Sequence, residues 1–324
     1  MAYPATNRFN YWGQFGILIA LVGGGLILGQ LVAAIPLLTK LNLSDLNDNK
    51  KVLVPENAGV LRMFQLLSTL FLFFIPTLIY ARVCHIKPFK HLGFDKGVTI
   101  SQAAIVIMIM LASLPLVNAL SELTWKLPFS KAIFERFTAA EAEYSKNVAV
   151  IGRMDNLADY FLSLFMLALL PAVFEETLFR AGIQNLLSRW LKMPLLAILI
   201  TAAVFSAVHG SYLGFLSRFV LGFVLGWMYH RTGNIWLNFI AHGFYNGAGV
   251  TLMYIAKLHN ANADLAKSDP GFPIWWAIPS ILILFGLFVL FDKVSQYQID
   301  RPGEEVLIPY ENPDQPSWLT TNRQ

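Results

Sequence analysis

Apolar residues run along this chain in long unbroken stretches, and polar residues gather between them. The stretches fall at 13–38, 61–83, 98–120, 157–187, 193–209, 213–230, 234–256 and 273–291. About 20 consecutive apolar residues is the length that crosses a bilayer core as a helix. In lipid only helices and closed barrels satisfy their own backbone polar groups. The runs are continuous and do not alternate, so helices are expected and a barrel is not. The pattern predicts an all-α fold, a polytopic membrane helix bundle of about eight transmembrane helices. The first run, Gly13 to Leu38, is too long for a signal-peptide core and is preceded by only Arg8, so it reads as a true span.

The connections differ in kind. Segment 39–60 is polar and reads as a solvated loop. Segment 121–156 mixes Trp125, Phe129, Phe134 and Phe137 with Lys131, Glu135 and Arg136, a pattern suited to an interfacial amphipathic helix. Tight turns are expected near 188–192, 210–212 and 231–233. With no internal repeat, the chain divides into a transmembrane domain at 1–292 and a polar, Pro-containing, unstructured tail at 293–324.

Composition agrees with this layout. Of 324 residues, 56% are apolar and only 14% are charged, against about 25% in soluble domains. The net charge of +4 comes with no basic stripe interleaved with aromatics, so no nucleic-acid partner is expected. The single cysteine, Cys84, rules out an internal disulfide and a cysteine metal cluster, and reads as structural.

Three polar clusters sit where a membrane penalises them. The first is Phe174-Glu175-Glu176-Thr177-Leu178-Phe179-Arg180. Glu176 and Arg180 are four apart and meet on one helix face, where an ion pair reduces the penalty of both charges. Glu175 points about 100° away and lacks that partner. An unpaired carboxylate in a low-dielectric pocket holds a proton more readily, which suits a general base acting on water. The bland alternative is two structural carboxylates, and spacing alone does not separate the two readings. The second cluster ends the fifth run with Phe205 and His209. The third holds His242 and Asn246, again four apart, so an imidazole and a carboxamide can donate to one point as an oxyanion hole does. A lone intramembrane histidine is more often a packing hydrogen bonder. Three coincident clusters are harder to explain so.

Depth follows from counting. Glu175 lies 17 residues before the turn at Lys192 and His209 lies 17 after it, so straight helices put both roughly 25 Å from that turn. From Thr232, His242 is about 15 Å up and Asn246 about 21 Å up. The four residues are expected to converge in one chamber, nearer the face that carries the 210–212 turn.

These residues resemble the motifs of the CPBP family of intramembrane proteases, the CAAX prenyl endopeptidase and bacteriocin-processing family. Glu175, Glu176 and Arg180 match Glu-Glu-x-x-x-Arg, Phe205 and His209 match Phe-x-x-x-His, and His242 and Asn246 match His-x-x-x-Asn. The resemblance covers 155–250. It implies that Glu175 and His209 activate a water, that His242 and Asn246 stabilise the oxyanion, and that Glu176, Arg180 and Phe205 support the site. It implies an endopeptidase acting on a membrane-associated, in some members prenylated, protein or peptide. The eukaryotic prenyl proteases of the family remove a C-terminal tripeptide. Members have also been described as metalloproteases. A zinc alternative would use Glu175, His209 and His242, but His-Glu-x-x-His is absent and the metal-free, cofactor-free reading is favoured.

Serine and aspartyl protease types fit less well. Ser206 and Ser211 flank His209 outside any Gly-x-Ser-Gly setting, and Asp155, Asp159 and Asp292 lie near span ends. A transporter or channel is the rival reading, since intramembrane charges also mark ion pathways. Against it, the polar residues sit at one depth and no half-and-half repeat occurs. A non-catalytic membrane scaffold is the third reading. A multi-pass protein of a bacterial plasma membrane is the expected setting. Basic residues near 82–97 and 189–192 weakly place the termini inside.

Overall fold

The computed structural model describes residues 9–42, 44, 46, 48–259 and 272–296. The architecture is helical throughout and no strand occurs among the described residues. Five helices are long and apolar enough to cross a membrane: α1 (Tyr11–Leu38), α2 (Pro55–Cys84), α3 (Ile100–Trp125), α5 (Leu157–Leu191) and α9 (Ile274–Val294). Between α3 and α5 runs α4 (Lys131–Ile151), about half exposed. Three further helices, α6 (Pro194–Ala207), α7 (Phe215–Thr232) and α8 (Ile235–His259), fill the remaining apolar runs. The expected polytopic helical bundle is therefore present: all eight apolar runs are helical, and five of the eight expected spans have the length and apolarity to cross a membrane, with α4 as the predicted amphipathic addition. The polar tail assigned to 293–324 lies, from 297 on, outside the described residues.

Polar residues set the helix starts. Asn10 caps α1 by accepting from Gly13 N at 2.8 Å, and Thr99 with Gln102 forms a capping box on α3. Asn156 caps α5 by accepting from Asp159 N at 3.0 Å. Outward faces stay apolar: Leu31, Leu282 and Phe285 are 65%, 69% and 73% exposed. Such exposure suits lipid and would be an aggregation hazard in water.

The bundle closes around α5. On one side, α1 crosses α2 so closely that a Cβ on Gly25 would lie 2.1 Å from Phe71 O. A small residue there lets the two backbones meet. On the other side, α3, α7, α8 and α9 share a core of Val106, Ile109, Met110, Met228, Leu237 and Phe291. At its foot, Gln102 Nε2 donates to Ser295 Oγ at 3.0 Å.

Helix α5 is not regular. Wide π turns run over Leu164–Leu169 and Thr177–Gln184, on either side of the α-helical turn Leu170–Glu176. Proline explains the first. Pro171 has no N–H and its ring crowds the preceding turn, and a π bulge relieves both problems. Helix α2 repeats the device, with a π turn at Leu70–Phe74 before Pro76. The two carboxylates of the candidate site thus sit on one α turn framed by two bulges.

Candidate active site

Glu176 is the most heavily engaged side chain. It is fully buried beside Arg180, whose Nε donates to Oε2 at 2.8 Å and Nη2 to Oε1 at 3.5 Å. Asn238 Nδ2 donates to Oε2 at 3.0 Å and also to Leu225 O at 2.8 Å. His242 Nδ1 donates to Oε1 at 3.0 Å. The donor role of Nδ1 follows because a carboxylate paired with arginine is ionised and can only accept. The expected Glu176–Arg180 pair is thus present, and Glu176 does more than was expected of it. It also fixes the His242 ring, leaving Nε2 to face Glu175.

Glu175 has the opposite situation. Its Oε2 is buried with no hydrogen-bond partner. His209 Nε2 stands 3.9 Å away and His242 Nε2 stands 4.0 Å away. His209 is oriented by its own helix end: Nδ1 lies 2.7 Å from Phe205 O. A carbonyl can only accept, so Nδ1 carries the proton and the neutral ring keeps a lone pair on Nε2.

Phe205 occupies the centre of this group. Its ring meets His209 edge-on at 4.9 Å and His242 at 5.9 Å between centroids. The Arg180 guanidinium lies 5.1 Å from its centroid on a cation–π contact. One aromatic ring therefore packs against both imidazoles and the buried cation.

Glu175, Phe205, His209, His242 and Asn246 all line one chamber of about 1530 Å³. Asn246 makes no side-chain hydrogen bond among the described residues and is free to donate into it. The lining extends to Leu37, Leu53 and Leu61, and α4 roofs part of the chamber through Glu141, Tyr144, Asn147 and Val148. Gly214, beside the 210–212 turn, lines the same chamber.

The α4 roof is held at both ends. Phe137 stacks on Tyr212 at 4.6 Å, and Glu141 accepts a hydrogen bond from Ser211. At its C-terminus, Arg62 of α2 donates to Ile151 O at 2.8 Å and Arg153 O at 2.6 Å. Beyond it, Lys257 reaches Asp155 Oδ1 at 2.7 Å. Lys257 and Arg153 together hold the Asp155 carboxyl below the usual carboxylate range.

Sequence reasoning missed Asn238 and the chamber-lining role of α4. Asn238 was legible. It stands four residues before His242, as Asn246 stands four after, so all three share one face of α8.

The zinc alternative is tested by spacing. Tetrahedral ligands at about 2.0–2.1 Å from zinc have donor atoms roughly 3.3 Å apart. The Glu175–imidazole separations of 3.9 and 4.0 Å are wider. Among the described residues no group of three His, Cys, Asp or Glu is placed to hold a metal ion.

Fold and site together define a multi-pass helical membrane protein with a carboxylate–imidazole cluster lining a large chamber. Residues 157–248 match the family described as Type II CAAX prenyl endopeptidase Rce1-like, so this segment carries an Rce1-like domain. The match spans α5 to the middle of α8 and contains all seven site residues named from the sequence. The family implies CAAX-type intramembrane protease activity. No curated protein and no solved structure matches the chain.

Proposed function

We propose that the chain is an intramembrane endopeptidase that hydrolyses a peptide bond of a membrane-associated protein or peptide with a water activated by Glu175, without a metal or other cofactor. The observation that carries this reading is the buried, unpartnered Glu175 Oε2 facing His209 Nε2 at 3.9 Å. A water within hydrogen-bond reach of both atoms can donate one hydrogen bond to each, which turns its lone pair toward a carbonyl in the chamber.

The chemistry then balances as follows. The water oxygen bonds to the carbonyl carbon and its proton moves to Glu175. The carbonyl π electrons become an oxyanion. Asn246 Nδ2 donates to that oxyanion, as does His242 Nε2 when the ring carries its second proton. Glu176, already bound to His242 Nδ1, is the carboxylate that stabilises this imidazolium. The tetrahedral centre collapses, the C–N bond breaks, and the leaving amine takes the proton from Glu175.

The test compares membrane peptidomes of cells carrying the wild type, Glu175→Gln or His209→Ala, with insertion checked for each. Both variants are expected to lose the same new chain ends. Normal cleavage by either one sinks the assignment. Metal analysis of the purified protein tests the cofactor reading: stoichiometric zinc whose chelation ends cleavage would overturn the metal-free version.

A further inference from the structure

Glutamines in the membrane helices fall into two groups. Gln14, Gln102 and Gln184, away from the chamber, are tied to the protein: their Nε2 atoms donate to Phe9 O at 2.8 Å, Ser295 Oγ at 3.0 Å and Gly226 O at 2.8 Å. Gln30 of α1 and Gln65 of α2 line the chamber, as does Asn147 of α4. The side chains of these three make no hydrogen bond among the described residues. A carboxamide within an apolar bundle is penalised unless something binds it.

The three amides come from three helices and gather at one level. Gln30 lies eight residues before the end of α1, about 12 Å from that face. Gln65 lies ten residues after the start of α2, about 15 Å from the same face. Gly29, next to Gln30, packs against Ser68, one turn beyond Gln65: a Cβ there would lie 3.4 Å from Ser68 O. Asn147 stands one turn before Ile151, whose carbonyl accepts from Arg62 at 2.8 Å, and Arg62 is three residues before Gln65. Phe74 gives the distance to the carboxylates. Its ring packs on that of Phe174, beside Glu175, at 5.3 Å, and Gln65 stands nine residues earlier, about 13 Å along α2. Extended peptide covers that distance in about four residues.

The geometry points to a main-chain clamp: Gln30, Gln65 and Asn147 hold the backbone of an extended substrate segment about four residues from the bond that is cut. An extended segment has given up its internal hydrogen bonds, and inside a membrane protein its N–H and C=O groups need replacement partners. A carboxamide offers both a donor and an acceptor, so it can bind either group. Leu61, Phe64 and Leu114, which also line the chamber, offer neither. The inference rests on the endopeptidase reading for the link between this segment and a scissile bond, and adds three binding residues to it. Recognition at the clamp tolerates changes of substrate side chain and responds to changes of the main chain.

The test uses a fluorescein-labelled apolar decapeptide and a set of forms, each N-methylated at one backbone amide. Methylation removes a main-chain donor and leaves the side chains in place. Binding to the Glu175→Gln protein in lipid nanodiscs is read by anisotropy. Methylation at a few neighbouring positions is expected to weaken binding roughly tenfold, the size expected when a buried polar group loses its partner. Adding Gln65→Met, which keeps the side-chain length and removes both polar groups, is expected to weaken the parent peptide similarly and to bring at least one methyl effect to about one. Gln30→Met and Asn147→Leu are expected to do the same at their own positions. Because these amides have no partner in the protein, each variant is expected to unfold at a midpoint no lower than that of its parent. Methyl effects spread evenly along the peptide, or unchanged in all three variants, overturn the proposal. Mass spectrometry of the same peptides with wild-type protein separates the two readings. Variant-dependent methyl effects without cleavage refute the endopeptidase and leave the main-chain clamp standing. Cleavage with methyl effects confined to the scissile bond does the reverse.

Discussion

The Glu176–Arg180 pair offers the sharpest physical test of the site. Both side chains are fully buried, and Arg180 Nη1 already has no hydrogen-bond partner. Glu176→Leu leaves the guanidinium without its counter-charge, at about 3–5 kcal/mol for a broken buried pair. It also orphans the His242 Nδ1 donor, which adds about 1–3 kcal/mol. Arg180→Leu leaves Glu176 with two donors, Asn238 and His242, so its penalty falls toward the lower end of the about 3–5 kcal/mol range. The double variant removes both charges together. Apolar replacement of a whole buried pair is often neutral, so the double variant is expected to be more stable than either single one.

The assay is equilibrium unfolding of the four proteins in mixed micelles, analysed as a double-mutant cycle. Penalties that add, with the double variant least stable of all, would refute the reasoning. Activity should follow a different order from stability. The double variant is expected to stay inactive even where its stability recovers, because His242 has still lost the carboxylate that orients it.

Asn238→Ala removes one amide that serves both Glu176 and Leu225 O, and is expected to lower unfolding stability by about 1–3 kcal/mol. An unfolding midpoint equal to wild type would contradict that bridging role. The Lys257–Asp155 tie should respond to acid. The Asp155 carboxyl is held below its usual range, so its contribution is present above the ordinary carboxylate pKa of about 3.9 and is lost as pH falls through the lower folded value. Hydrogen exchange at 150–157, corrected for intrinsic rates, should therefore be flat from about pH 5 to 8 and rise below about pH 4; a rise centred near neutrality would rule this tie out as its source. Glu175→Leu removes a buried oxygen that has no partner, so it is expected to leave stability unchanged or raised while cleavage is lost. A loss above about 2 kcal/mol would show that Glu175 is a structural group after all.

Much of this was legible in the sequence. Apolar runs placed eight helices, five of them long and apolar enough to cross a membrane, because length and continuity decide what can cross lipid. Residue counting brought Glu175 and His209 together across the Lys192 turn, and they stand 3.9 Å apart. That count survived a π turn at Thr177–Gln184 which it did not foresee, because a bulge shifts the rise by only a fraction of a turn. What the sequence did not display was division of labour between neighbours. The i,i+4 rule pairs Glu176 with Arg180 but cannot say that Asn238 and His242, from a helix more than 50 positions on, complete its shell. The roof was hidden for a related reason. An amphipathic pattern within 121–156 announces a surface helix, and only tertiary placement shows that Tyr144 faces the Arg218 guanidinium.

Two adjacent glutamates on one helical turn therefore receive opposite treatment, and the contrast bears on function. Glu176 accepts from three side chains and its charge is balanced within the protein. Glu175 Oε2 is buried and accepts from none. A bundle selected only for stability would gain by replacing such a group, since a buried oxygen without a partner is penalised. The same surroundings supply what a water-activating base requires: a free acceptor, a chamber at its face, and imidazole nitrogens too distant to satisfy it directly. At 3.9 and 4.0 Å, His209 and His242 leave space for a small molecule to bridge, where a direct contact would have closed the site. The saturated glutamate fixes the geometry that keeps its neighbour unsatisfied.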